Sequence, residues 1–82
     1  MIKYHKITNR SIEENSYYWA VVVGEIAYYK HWQAIVAHEW IKTTFGVDST
    51  TSLSTTKFED LMETVRQHVQ KYWNLYISLP NE

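Results

Sequence analysis

Apolar residues recur at helical spacing along most of this chain. Between residues 12 and 29, Ile12, Trp19, Val23 and Ile26 share one face, with Glu14 and Glu25 opposite. Tyr17, Val21 and Tyr28 add a second stripe, so the helix is apolar nearly all round. Such a helix is either central or touches something beyond its own domain. Ser11 and Glu14 stand at capping-box spacing and set its start. Gly24 lies near the second stripe, where it would let another backbone come close. A second helix is expected over residues 31–44, stopped by Gly46. There Ala34, Ala37, Ile41 and Phe45 share one face, Trp32, Val36 and Trp40 share another, and Glu39 and Lys42 are left for solvent.

Residues 47–54 hold five hydroxyl side chains in eight positions. These compete for local backbone bonding and predict a polar linker. Ser54 is placed to cap a third helix over residues 55–73, with Leu53 and Phe58 at the two positions of a hydrophobic staple. Phe58, Leu61, Met62, Val65, Val69, Tyr72 and Trp73 make one continuous stripe on it. Its acids lie early and Lys71 lies late, as the helix dipole favours. Residues 2–7 and 75–80 alternate weakly and are candidates to pair as a small two-stranded element. The expected fold is therefore mainly α, one domain of three helices: an arm or short strand over 1–10, two helices over 11–46, the linker, a third helix over 55–74 and an extended tail over 75–82.

Composition narrows the picture. At 82 residues the chain is near the size where one core is only marginally stable, and it has no cysteine for disulfides or thiolate metal sites. It carries four Trp, seven Tyr and two Phe, more ring-bearing surface than one small core encloses, which predicts a homodimer. The formal net charge of -1 argues against coating nucleic acid by charge alone. No apolar run approaches the roughly 20 residues of a membrane span, and no signal-peptide pattern stands at the start. The chain reads as soluble and cytoplasmic.

Candidate chemistry is sparse. His31 and His38 are two helical turns apart, and His38-Glu39 is not followed by a second histidine at metal-site spacing. No metal or other cofactor is expected. No nucleophile elbow or phosphate-binding glycine loop occurs, and Glu13 and Glu14 are helix neighbours that point apart. The chain is not expected to be an enzyme. Nucleic-acid binding has a case at the N-terminus. Lys3, Lys6 and Arg10 fall in a stretch without acids and lead into a helix start, whose free N–H groups favour an anion. Asn15, Tyr18 and Trp19 form one neighbourhood beyond them, where an exposed ring can stack on a base. Trp19, central in its stripe, is assigned to the core.

Three segments resemble the NinB-type proteins of phages, a family associated with homologous recombination. Arg10-Ser11-Ile12-Glu13-Glu14-Asn15-Ser16-Tyr17-Tyr18-Trp19 is similar to the family's Arg-Ser-x-x-Gln-Asn-x-x-(Tyr/Leu)-Trp stretch, with Glu14 in the place of Gln. His38-Glu39-Trp40-Ile41-Lys42 resembles a His-Glu-x-x-Lys helix. Residues 49–56 leading into Phe58-Glu59, with Tyr76-Ile77-Ser78-Leu79-Pro80, form the third segment. The resemblance implies a dimeric, non-catalytic accessory factor that binds single-stranded DNA. It offers Arg10 for phosphate, Asn15 for hydrogen bonding, Tyr18 for stacking, and His38 with Lys42 as a second contact. A competing reading is a small phage-encoded inhibitor, such as an anti-CRISPR-type protein, that binds a host protein through Tyr17, Val21, Tyr28, Trp32, Val36 and Trp40. Tyr and Trp are the residue types that interfaces favour.

Overall fold

The computed structural model describes residues 12–79, and these fold into three helical rods joined by short connections. The first rod has three continuous parts: α1 (Ile12–Tyr17), a π-helical segment (Tyr18–Val23) and α2 (Gly24–Lys30). It ends at His31, which adopts a left-handed conformation (φ 60°). The backbone N–H of Trp32 then closes back on the Ala27 carbonyl at 2.8 Å. The second rod, α3 (Ala34–Phe45), starts three residues later than the pattern of apolar positions suggests, because this turn consumes residues 31–33. Gly46, at φ 70°, ends it in a left-handed cap that a Cβ would strain.

The linker makes one 3-10 turn, Thr50–Ser52. Its hydroxyls satisfy one another and the backbone, as turn-forming residues do: Ser49 Oγ and Thr51 Oγ1 are 2.8 Å apart, and Ser52 Oγ donates to the Ser49 carbonyl. The third rod, α4 (Thr55–Trp73), matches the expected range. The Ser54 hydroxyl accepts from the Lys57 N–H at its start, and Asn74 ends it in a left-handed cap. Leu53 packs half-buried against the core that encloses Phe58, as a staple requires.

The core is built from Tyr18, Val22, Val23, Ile26, Ala37, Ile41 and the inward stripe of α4, namely Phe58, Leu61, Met62, Val65 and Val69. Each of the larger of these side chains contributes roughly 1.5–3 kcal/mol through burial. The π-helical segment is the hub, since its backbone lies beside both α3 and α4, whereas α2 lies beside α3. The π-helical turn also explains why the first rod faces the core differently from the expected pattern. In an α-helix a residue five positions on points about 140° away. A π-turn closes over five residues, so Tyr18 and Val23 both face the core and both are fully buried. Trp19, expected in the core, is displaced to the surface with 37% of its area exposed. Tyr17 and Val21 turn partly inward while Tyr28 points to solvent, so the predicted second stripe does not exist as one face. Gly24 does not admit a neighbouring backbone either. A Cβ there would meet only the Trp19 carbonyl of its own rod, at 3.7 Å.

The tail folds back over α4. Ile77 is buried, and the Tyr17 hydroxyl donates to the Ser78 carbonyl while accepting from Arg66 Nη1 at 3.3 Å. No strand occurs among the described residues. Residues 2–7, the expected strand partner of the tail, and the Ser11 cap lie outside them. Among the described residues no helix is long and apolar enough to cross a membrane.

Candidate nucleic-acid interface

The rings that the core leaves over gather on one side of the molecule. Trp40 of α3 lies 4.9 Å from Trp73 and 5.8 Å from His68, both on α4, measured between ring centroids. Phe45 and Trp32 flank Trp40 from either end of α3. Tyr29 of α2 stacks on Trp73 with planes 10° apart and centroids 5.5 Å apart, and its hydroxyl donates to the Trp73 carbonyl at 3.2 Å. Tyr72 sits at the far side, 4.8 Å from His68. The indoles are half-buried. Tyr72 is 64% exposed and Tyr29 is exposed too, so both ends of the cluster reach solvent. These ring contacts bridge α3 and α4 beside the core that the two rods share.

Two cations crown the cluster. Lys30 Nζ lies 5.0 Å from the Trp73 ring centroid and 5.5 Å from that of Trp32. Lys71 Nζ lies 5.3 Å from the Tyr72 centroid. Such cation–π contacts are worth about 0.5–1 kcal/mol at exposed sites. Neither lysine has a carboxylate partner among the described residues, where the one ion pair is Lys42 with Glu39. The scarcity of carboxylates here has a reason visible in the chain: residues 26–38 and 64–79 contain no Asp or Glu. The Tyr29–Trp73 and Lys30–Trp73 contacts bring these two acid-free stretches together. That segregation, hidden by a net charge near zero, was the available signal for this face, and composition alone could not reveal it.

The residues expected to bind nucleic acid are distributed otherwise. Lys3, Lys6 and Arg10 lie outside the described residues. Asn15 is half-buried. Tyr18 is enclosed, and its ring contacts Trp19, His38 and Phe58, so it presents no face to a base. Its hydroxyl lies 2.8 Å from His38 Nδ1, and His38 is itself buried with 8% exposed. The proposed stacking role of Tyr18 and contact role of His38 are therefore corrected: both serve the interior. Burial pushes the His38 imidazole below its ordinary pKa, Lys42 pushes it the same way, and Glu39 opposes them. Lys42 pairs with Glu39 at 3.5 Å. It borders a shallow depression that also includes Asp48, an acidic setting unsuited to phosphate.

The expected protein interface is also broken up. Tyr17 is tied to Arg66 and Ser78, Val21 packs on the core, and Trp32 and Trp40 belong to the ring cluster. Tyr28 and Val36 remain exposed. Among the described residues no group of three His, Asp or Glu side chains is placed to hold a metal ion.

The fold and this face define a small three-helix domain with a cationic aromatic surface. Compared with protein-family models, curated proteins and solved structures, the chain shows no significant match.

Proposed function

We propose that this protein is a non-catalytic accessory factor of DNA recombination that binds single-stranded DNA, acting as a homodimer in the cytoplasm of a phage-infected host. The observation that carries the DNA-binding part is the ring cluster crowned by Lys30 and Lys71, neither of which is paired with a carboxylate among the described residues. Exposed rings offer sequence-tolerant stacking to unpaired bases, and unpaired lysines offer charge to phosphates. The recombination role rests on the resemblance of the three sequence segments to NinB-type proteins. The test is fluorescence anisotropy of a labelled oligothymidine at two salt concentrations. The reading expects binding that weakens as salt rises. No binding at low salt refutes it. Sedimentation across a concentration series tests the homodimer, and a monomer throughout counts against that part.

A second reading, an inhibitor that binds a host protein, is favoured by a different surface. Tyr28 is 83% exposed at the end of α2, and Ile35 and Val36 are exposed at the start of α3, beyond the intervening turn. These apolar side chains suit a protein partner better than a phosphate backbone. Pull-down from host extract, lost on Tyr28→Ala with Ile35→Ser, is the result this reading requires.

A further inference from the structure

We infer that the ring cluster is a sequence-neutral platform for two unpaired bases, one stacked on Tyr29 and one on Tyr72, with Lys30 and Lys71 holding the phosphates beside them. The inference rests on the single-strand-binding reading and specifies its site.

Tyr29 is the better prepared of the two rings. One face is already stacked on Trp73, and its hydroxyl is fixed to the Trp73 carbonyl, so its orientation is set before any ligand arrives. A base laid on the opposite face extends an existing stack and orders little that is not ordered already. Tyr72 has His68 on one side and the Lys71 ammonium over its ring, and most of its surface is exposed. Each platform has a lysine as its immediate chain neighbour, and both ammonium groups lie over rings of the cluster. Phosphates can displace those weak cation–π contacts at small cost.

The chemistry of the lining decides the class of ligand. Tyr, Trp and Lys side chains dominate, and none is a bidentate reader of base edges such as a paired amide or guanidinium aimed at a stacked base. Stacking serves every base about equally, so selectivity is for unpaired over paired bases rather than for sequence. Two cations also set the salt response. At about 0.7 counterions released per phosphate neutralised on a single strand, the log–log slope due to this face is about -1.4.

The experiment measures anisotropy of labelled oligothymidine, a mixed-sequence single strand and the matching duplex, between 20 and roughly 200 mM salt. Proteins are the wild type, Tyr72→Ala, Tyr72→Phe, Lys30→Gln with Lys71→Gln, and Tyr28→Ala as an exposed ring outside the cluster. All replaced side chains are on the surface, and circular dichroism confirms the helix content. Expected are equal binding of the two single strands, weaker binding of the duplex, and a loss of about 5- to 150-fold in Tyr72→Ala that Tyr72→Phe restores. The double lysine variant should flatten the slope by about 1.4, and Tyr28→Ala should bind as wild type. If the wild type binds single strands but Tyr72→Ala and the lysine variant match it within twofold, this placement is overturned while the single-strand reading stands. If the wild type binds no single strand at 20 mM salt, the reading itself falls. Loss of binding in Tyr28→Ala, or equal affinity for duplex, overturns the platform.

Discussion

Tyr18→Phe is the sharpest probe of how the helical rods are locked together. The substitution removes one oxygen from a fully buried side chain and leaves its ring contacts with Trp19, His38 and Phe58 in place. The lost partner is His38 Nδ1 at 2.8 Å, on a residue with 8% of its area exposed. A neutral hydrogen bond contributes about 1 kcal/mol net, and orphaning a buried polar atom raises the cost to about 1–3 kcal/mol. A domain of this size has a total stability of about 4–12 kcal/mol, so the loss is a substantial fraction. With a urea m-value near 1 kcal/mol/M, typical of small domains, the midpoint should fall by about 1–3 M. Equilibrium urea unfolding followed by tryptophan emission measures it, since Trp19 lies against the His38 ring. Replacing both partners, with Tyr18→Phe and His38→Leu together, should cost less than the two single changes added, because neither polar group is then stranded. A midpoint for Tyr18→Phe within 0.3 M of wild type (roughly 0.3 kcal/mol at that m-value) would refute the assignment. Strict additivity in the cycle would refute it as well.

Three further outcomes are expected. The His38 pKa is lowered in the folded state, chiefly by burial. The unfolded chain therefore takes up this proton first, and the stability His38 contributes is complete above about pH 6.5 and is lost as pH falls below that value. Urea titrations at several pH values should show a steeper acid-side loss in wild type than in His38→Gln; parallel curves would contradict this. Gly24→Ala should stabilise by about 0.5–1 kcal/mol, because Gly24 sits within a continuous rod at φ -60° and its new Cβ meets only a 3.7 Å contact. A lower thermal midpoint than wild type would show the π-helical segment depends on the glycine. Phe58→Ala should cost about 3–5 kcal/mol, a large share of the domain's stability, and a cooperative near-wild-type unfolding curve would place Phe58 outside the core.

Much of the fold was legible because local chemistry and tertiary packing agree. In α4 the Ser54 cap, the staple and an unbroken stripe from Phe58 to Val69 all specify the same helix. The first rod was legible as a helix but not in its facing. A periodicity of 3.6 placed Trp19 inside, and the π-helical segment placed Tyr18 there instead, since a widened turn is invisible to a fixed-period pattern. The candidate site was the least legible part. Tyr29, Lys30, Trp40, His68 and Trp73 come from three elements, and only the fold reveals that their surplus rings meet. Trp32 and Trp40 were singled out, but as part of a flat interface stripe. Trp40 instead sits at the centre of a cluster drawn from α2, α3 and α4, with Trp32 beside it.

The clasp between Tyr17 and Ser78, 61 residues apart in sequence, bears on how this chain acquires its shape during synthesis. Helices form locally within about a microsecond, so each rod can appear soon after it leaves the ribosome. The groove that Ile77 plugs stays open until translation has passed that position. A nascent chain halted before Ile77 leaves bare the apolar surface that this side chain covers, and transiently exposed apolar surface of that kind is prone to aggregation.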